Sequence, residues 1–410
     1  KLKYQIVLVD ENNYHQFQPL FYQVAMCGLE PSSVVFPLRR VFQNYKNVYI
    51  RICKVKSVDI DKKVLQTSLG IMNYDMLVMA TGATTNFFGN QELATKVIPM
   101  KSINEALYLR NAILEDFEKA LSTVDHDPRQ GLIDIVIVGG GPTGVEVAGA
   151  LAEMKKYVLP KEYSELNIDE VEIHLIQGGK RLLPGMKETS SITAKKYLED
   201  LGVNVELGVR VQGYDGTIVQ LNDGRKIRSD KVIWAAGITG RLFAGFPDAS
   251  IIRGRRLIVD DYHSVKGCSD VYAIGDISAM ISDENPRGHA QVAPVAMQQA
   301  ESLGKNFIRL SRKKDPMPFV YKNKGSMATI GRNKAVADLP KVSFKGFFAW
   351  IIWLIVHLMS LIGARNKVFV FINWVSNYIT YDQSLRLIIK PKRRGETLLN
   401  EELVAPKKAK

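Results

Sequence analysis

Residues 139–144 of this 410-residue chain read Gly139-Gly140-Gly141-Pro142-Thr143-Gly144, a G-x-G-x-x-G spacing set behind an apolar run and ahead of Ala- and Glu-rich helical sequence. In that setting Gly139 makes a tight turn, Gly141 lets the backbone approach a pyrophosphate, and Gly144 lets helix pack on strand. The helix start adds unbonded N–H groups and the positive end of a dipole. The segment predicts a strand-turn-helix that binds a dinucleotide; the alternative is a purely structural glycine turn. Glu146 is expected in the first turn of that helix. A carboxylate there either complements the dipole or reaches the redox end of a bound cofactor.

The next strand of such a unit normally ends in an acid that binds the ribose 2′-hydroxyl. Here VEIHLIQ (171–177) ends in Gln177, with Lys180 and Arg181 close behind. A neutral amide removes the repulsion that excludes a 2′-phosphate, and the two cations offer it a counter-charge. Use of NADPH as well as NADH is one reading; a Gln that hydrogen-bonds NADH is the other. Asp10 closes a short strand, where an acid is either a ribose ligand or a turn residue. Asp276, in YAIGD, follows a strand and a glycine, a place from which an Asp meets a helix N-terminus and a flavin ribityl or phosphate linker. His15, His263 and His289 show no metal-ligand spacing, so no metal site is expected, and no hydrolytic triad can be assembled. Cys27, Cys53 and Cys268 lie far apart without a CxxC pair, which excludes an evident disulfide framework or dithiol centre.

These residues need two strand-rich units to hold them. The first opens with YQIVLVD (4–10), continues through β-like segments between 48 and 80, and resumes after 255 with LIVDD, the run ending at Gly275-Asp276, and a helix-prone stretch over 292–310. The second starts with a helix over 102–121, capped by Ser102 and Glu105. It continues through the glycine motif, the strands 171–177, 203–211, 217–221 and 231–237, and a helix over 191–202. Strand, helix, strand with buried apolar runs means a parallel doubly wound sheet. Both units close an apolar strand on A-T-G or A-A-G, residues 80–82 and 235–237, which brings Gly82 and Gly237 into equivalent places. The predicted architecture is α/β, with the second Rossmann-like domain inserted in the first. It divides as 1–101 with 255–335, 102–254, a membrane-anchoring region 336–390 and a flexible tail 391–410.

The net charge of +13 suits nucleic acid, an anionic membrane or anionic cofactors. Its distribution favours the membrane: there is no zinc-finger spacing, RNP-like segment or basic helix with stacking aromatics, so no nucleic-acid partner is expected. Lys341, Lys345, Arg365, Lys367, Lys390, Lys392, Arg393 and Arg394 instead surround the most apolar part of the chain, 344–363 and the segment behind it. The run at 344–363 has spanning length but is interrupted by Lys345, Gly346, His357 and Ser360. Helices lying in the interface are preferred over a span or a buried helix. Trp350, Trp353, Trp374, Tyr378 and Tyr381 are expected at the headgroup level.

Taken together, NNYHQFQPLFYQVA (12–25), YDMLVMATGATTNFFG (74–89), the glycine motif, DVYAIGD (270–276), the AxxAxQ pattern at 293–298 and GFFAWIIWLIVHLMSLIGARNK (346–367) resemble the type II NADH dehydrogenases, single-subunit NADH:quinone oxidoreductases of the two-dinucleotide-binding-domain flavoproteins. The resemblance implies a non-covalent FAD, hydride transfer from NADH, and electron delivery to a membrane quinone without proton pumping. It implies a peripheral homodimer on the cytoplasmic side of the inner membrane. By position it places Asp10 at the FAD adenosine ribose, the Val55 backbone at the adenine, Thr81 and Gly82 near the pyrophosphate, and Asp276 at the ribityl chain. Glu146 falls near nicotinamide and flavin; Ala293, Ala296 and Gln298 line the isoalloxazine and the quinone channel, with Pro19-Leu20 close to the ring. Three features depart from the family. Pro294 stands where Gln is usual beside the quinone, Gln177 replaces the acid, and the first glycine turn, expected before Tyr4, is not in the sequence. The chain, which opens at Lys1 on a strand, is therefore expected to be N-terminally truncated. Competing readings are a sulfide:quinone oxidoreductase, which needs a redox cysteine pair, a soluble reductase of a ferredoxin-like protein, and a degenerate nucleotide-binding membrane protein.

Overall fold

The computed structural model describes residues 4–381 and 385–389. The expected tail at 391–410 and the cations Lys390, Lys392, Arg393 and Arg394 lie outside the described residues. A five-stranded parallel sheet runs in the order Ile98–Pro99, Lys231–Trp234, Ile135–Val138, Ile173–Gln177, Asn204–Leu207. Its central strand, IVIV, is buried along its whole length, as a sheet covered on both faces requires. Ile135 and Ile137 face a core with the helices Ile103–Ser122, Pro142–Tyr157 and Glu188–Glu199. The alternate residues Val136 and Val138 face a second core with Val219, Leu221 and Leu93. A doubly wound sheet ordinarily carries helices on both faces. The second face is covered instead by a three-stranded antiparallel sheet, Val211–Tyr214, Ile218–Leu221 and Lys226–Arg228, and the short helix Gln91–Lys96. The run 203–211 is divided because Gly208, at φ +75°, turns the chain from one sheet to the other.

The long helix starts as its sequence demands. Ser102 accepts from Glu105 N–H while Glu105 reaches back to the Ser102 N–H at 2.8 Å, which satisfies two otherwise orphaned donors. The remaining strands come from both ends of the chain: Leu77–Met79 pairs in parallel with Val271–Ala273, and Ile6–Asp10 with Val48–Ile52. The two connections between these strands and the five-stranded sheet, Ala83–Thr85 and Ile238–Gly240, run side by side as an antiparallel pair. Ile98–Pro99, on the near side of residue 101, already joins the five-stranded sheet.

The C-terminal part adds the antiparallel strands Ser326–Gly331, Lys334–Asp338 and Ser343–Lys345, then the helices Phe347–Ser360 and Ala364–Thr380. The first strand lies directly on helix Pro142–Tyr157: a Cβ at Gly149 would come within 1.7 Å of the Ile330 carbonyl oxygen. The second C-terminal helix is tied to the N-terminal part by Trp374 Nε1 donating to Gln23 Oε1 at 2.7 Å and Asn377 donating to the Gly28 carbonyl at 3.1 Å. The break at Gly363, φ +84°, leaves helices of 14 and 17 residues, about 21 and 26 Å long against a hydrocarbon core of about 30 Å. Among the described residues no helix is long and apolar enough to cross a membrane.

Candidate functional site

The glycine turn has the geometry its spacing predicts. Gly139 has φ +115°, and a Cβ there would lie 2.6 Å from the Ala235 carbonyl oxygen. At Gly144 a Cβ would fall 1.8 Å from the Gly139 carbonyl oxygen. A Cβ at Gly141, by contrast, would meet nothing within 4 Å. Two of the three glycines are thus demanded by the fold, and Gly141 faces open space at the start of the helix. That helix carries no side-chain cap, so its first N–H groups are free for an anion.

Gln177 is bound into the turn rather than left facing a ribose: its Oε1 accepts from Gly140 N–H at 2.9 Å. The neutral amide holds the loop while leaving the strand end without negative charge. Lys180 is exposed, and Arg181 donates to the Pro184 carbonyl at 2.8 Å. Arg210 adds a third cation that linear reading missed, since its side chain lies 3.0 Å from where a Gly178 Cβ would stand. It comes from the neighbouring strand end, so only the sheet brings it here. The variant Gln177→Glu is expected to lower kcat/KM for NADPH relative to NADH by about 10-fold or more, because it restores a carboxylate among these cations. Unchanged discrimination in paired steady-state assays would refute this electrostatic reading.

The expected flavin residues lie at strand ends and turns. Asp10 Oδ1 accepts from Asn12 N–H at 2.7 Å, which fixes the turn after its strand. Val55 opens the strand Val55–Asp59. Thr81 Oγ1 donates to the Arg241 carbonyl at 2.7 Å, and Gly82 has φ +68° with open space where a Cβ would be. Gly237, at φ +77°, makes room for the Phe88 ring, 2.7 Å from an added Cβ. Asp276 lies in the turn Gly275–Ile277, packed against helix Ala293–Ser311, whose Ala293 and Pro294 form an uncapped first turn. Gln299, unforeseen in the sequence, is 1% exposed and fastens the two by accepting from Gly275 N–H at 2.7 Å. Gln298 was expected to face a quinone, but both ends of its amide are taken by the Lys322 backbone, each at 3.0 Å. Asp276 beside the start of helix Ala293–Ser311 is compatible with the flavin end of FAD, and the open glycine at 82 with its pyrophosphate. The described residues contain no second glycine turn opening onto a helix for its pyrophosphate.

Glu146 sits one turn further into its helix than expected, since the first turn holds no acid. The dipole reading therefore falls away. The side chain is buried, lies 3.5 Å from Thr329 N–H, and lines a cavity of about 150 Å³ with Glu153, Tyr22, Trp353 and Arg332. Burial pushes its carboxyl from 4.5 up to about 8, opposed only in part by the N–H groups of Thr329 and Trp353. Burial also raises Glu153, one helical repeat along the same face. Arg332 closes this side of the cavity between the rings of Tyr378 and Tyr381, 3.8 Å from each centroid. The aromatics expected at headgroup level all line the cavity, though Tyr378 and Tyr381 stay 39% and 40% exposed. Trp353 is 1% exposed and stacks on His357, while Trp350 stacks on Tyr378. The solvent-facing apolar residues are others, among them Phe348 at 71% and Ile379 at 72% exposure.

The three cysteines are buried and free, and burial pushes the Cys27 thiol up to about 11. They offer no redox pair for sulfide chemistry.

Residues 1–300 match the pyridine nucleotide-disulphide oxidoreductase family, and residues 323–381 match the NDH2 C-terminal domain. A type II NADH:quinone oxidoreductase, NdhA of Mycobacterium tuberculosis, is 36% identical over 385 residues, covering 90% of this chain and 81% of the relative. The structure of NDH2 from Plasmodium falciparum in complex with NADH superposes with a TM-score of 0.86 at 22% identity, covering 95% of both chains. A sulfide:quinone oxidoreductase from Aquifex aeolicus shares the fold at a TM-score of 0.68 and 16% identity, covering 94% of this chain and 90% of that one. With a relative this similar over 81% of its length and the C-terminal domain matched as well, the chain belongs to the type II NADH:quinone oxidoreductases, flavin-dependent members of the pyridine nucleotide-disulphide oxidoreductase family.

Proposed function

We propose that the donor and acceptor ends of this NADH:quinone oxidoreductase meet along helix Pro142–Tyr157, with the NADH pyrophosphate at Gly139, Gly141 and Gly144 and the quinone approaching through the cavity beneath the C-terminal helices. The observation that carries this reading is Glu146, a buried acid five residues beyond Gly141 that lines that cavity. FAD, when bound, would supply the hydride acceptor for the nicotinamide and the electron donor for the quinone. Asp10, Val55, Thr81, Gly82 and Gly237 would hold its adenosine and pyrophosphate parts, and Asp276, Ala293 and Pro294 its flavin end. In this reading 1–101 and 255–335 form the flavin unit, apart from Gln91–Lys96 and Ile98–Pro99, which join the NAD(P)H unit formed by 102–254.

The residues around the cavity govern protons and water. A carboxyl with a pKa near 8 is largely protonated at neutral pH, so Glu146 holds a proton at its Oε atoms where quinone reduction consumes one. Trp353 and Trp374 exclude water, and Gln298, tied to Lys322, positions helix Ala293–Ser311 rather than touching substrate. The Glu146 reading is tested by the pH dependence of NADH-driven reduction of a soluble quinone, in which the variant Glu146→Gln should lose the ionisation near pH 8.

The outward apolar side chains of both C-terminal helices, flanked by Lys341, Lys345, Arg365 and Lys367, suit an anionic membrane surface. Each large apolar side chain buried contributes about 1.5–3 kcal/mol. The double variant Phe348→Glu, Ile379→Glu should therefore weaken binding to phosphatidylglycerol vesicles by about 100-fold or more. Wild-type affinity in flotation assays would sink the membrane-face assignment. A homodimer on the cytoplasmic side of the inner membrane rests on the family resemblance alone.

A further inference from the structure

We propose that Asp134, Glu172 and His174 form a binding site for one divalent transition-metal ion at the base of the NADH-binding sheet, remote from the glycine turn. One ligand atom from each residue lies within 4.8 Å of the others, close enough for a single ion with N and O donors at about 2.0–2.2 Å. No linear spacing announces this triad. Glu172 and His174 are two apart and share a face of their strand, whereas Asp134, 38 residues before Glu172, arrives through the parallel pairing of Ile135 with Ile173.

The second, independent observation is His174 itself. It is 8% exposed, and its Nδ1 makes no hydrogen bond. A buried imidazole whose Nδ1 is unsatisfied carries a desolvation cost that needs an explanation. Its Nε2 lies 3.0 Å from Glu172 Oε2, inside the cluster. Asp134 is also prepared: Gln130 Nε2 and Glu172 N–H both donate to its Oδ1, at 2.8 and 2.9 Å. These bonds fix the carboxylate plane and leave Oδ2 for a ligand, the orienting role that outer partners play at metal centres. Neighbouring cations are committed elsewhere, Lys231 to Asp116 at 3.0 Å and Arg129 to Glu170 at 2.6 Å. Access is open, since Glu172 is half-exposed and His174 also borders a surface depression with Glu199, Asn204 and Glu206.

Two carboxylates with one neutral imidazole carry two negative charges, which a dication neutralises, and the donor set suits Zn²⁺, Co²⁺ or Mn²⁺ over Ca²⁺. The ion would join the starts of the strands whose far ends present Gly139 and Gln177.

The test is Zn²⁺ titration of the full chain after dialysis against chelator, followed by calorimetry and by the visible spectrum of added Co²⁺. One ion per chain is expected. His174→Gln should weaken binding by more than about 100-fold, beyond what loss of an outer-shell partner costs, and abolish the Co²⁺ bands. Glu172→Gln alters a 53% exposed side chain, so it tests the site without disturbing the core and should give the same loss. His126→Gln, in the exposed His126–Asp127 pair, should leave binding unchanged. Binding that survives both site variants, or no Zn²⁺ binding by the folded chain, overturns the proposal.

Discussion

Alanine at Gly144 is expected to lower kcat/KM for NADH by about 100-fold, the consequence of about 3 kcal/mol of overpacking at a backbone contact. The added Cβ would lie 1.8 Å from the Gly139 carbonyl oxygen. No side chain can rotate away, so the helix must back off the strand or the turn must open. Either movement displaces the N–H groups that face the pyrophosphate. Gly141→Ala separates ligand from fold. Its φ of −76° is ordinary for alanine and its Cβ meets no atom within 4 Å, so stability should stay within about 1 kcal/mol of wild type. The affinity for NADH should nevertheless fall about 10-fold, because the methyl occupies the space into which the nucleotide's pyrophosphate comes. Isothermal titration with NADH and thermal melts of both variants check the pair. A silent Gly141→Ala would mean that the turn is structural only.

For Glu146→Gln the expected result is a change in pH dependence. The folded carboxyl titrates near 8, against 4.5 for an unperturbed one. Between these values the folded state keeps a proton that the unfolded chain releases. Stability therefore falls as pH rises from about 4.5 through 8, a linkage that amounts to at most about 5 kcal/mol at about 1.4 kcal/mol per unit. Gln imitates the protonated acid and does not titrate. The variant should melt with wild type near pH 4.5 and about 5 °C above it at pH 9, given the unfolding entropy of a chain this size. Quinone reduction should respond in the opposite direction, losing rate at neutral pH because no proton stands beside the cavity. Parallel melting curves at all pH values would show that Glu146 ionises normally. A stabilised variant with full quinone activity would confine it to a structural place.

These outcomes bear on how far the sequence alone reaches. Local grammar was legible. The capping box at Ser102 and Glu105 forms as read, and the glycine spacing produces the turn it announces. The pattern of buried strands identified a parallel sheet. Period and capping are local properties, carried by residues within a few positions of one another. What covers the sheet's second face was not legible. Helix and antiparallel sheet both offer it an apolar layer, and the decision rests on a turn at Gly208 and on long-range packing. The inward turn of Trp353 and Trp374 was not legible for a related reason. Composition says that Trp and Tyr suit an interface, yet Trp353 and Trp374 turn inward because Tyr22 and Gln23, more than three hundred residues earlier, stand opposite them.

The site divides along the same line. The sequence by itself determined that this chain carries a dinucleotide turn, two strand-rich units, an acid at 146, an amide at 177 and an apolar C-terminal region, because residue type and near spacing fix each of these. Only the tertiary structure decided what surrounds them. It set Glu146 beside Thr329, 183 residues away, in a cavity roofed by C-terminal helices, and thereby changed a solvated carboxylate into a buried acid. It bound Gln177 into the turn, fastened Gln298 to Lys322, and gathered Asp134, Glu172 and His174 at the base of the sheet. The physical reason is common to all of them. Desolvation, hydrogen-bond partners and ligand geometry depend on which distant segments share a small volume, and only the packed chain determines that.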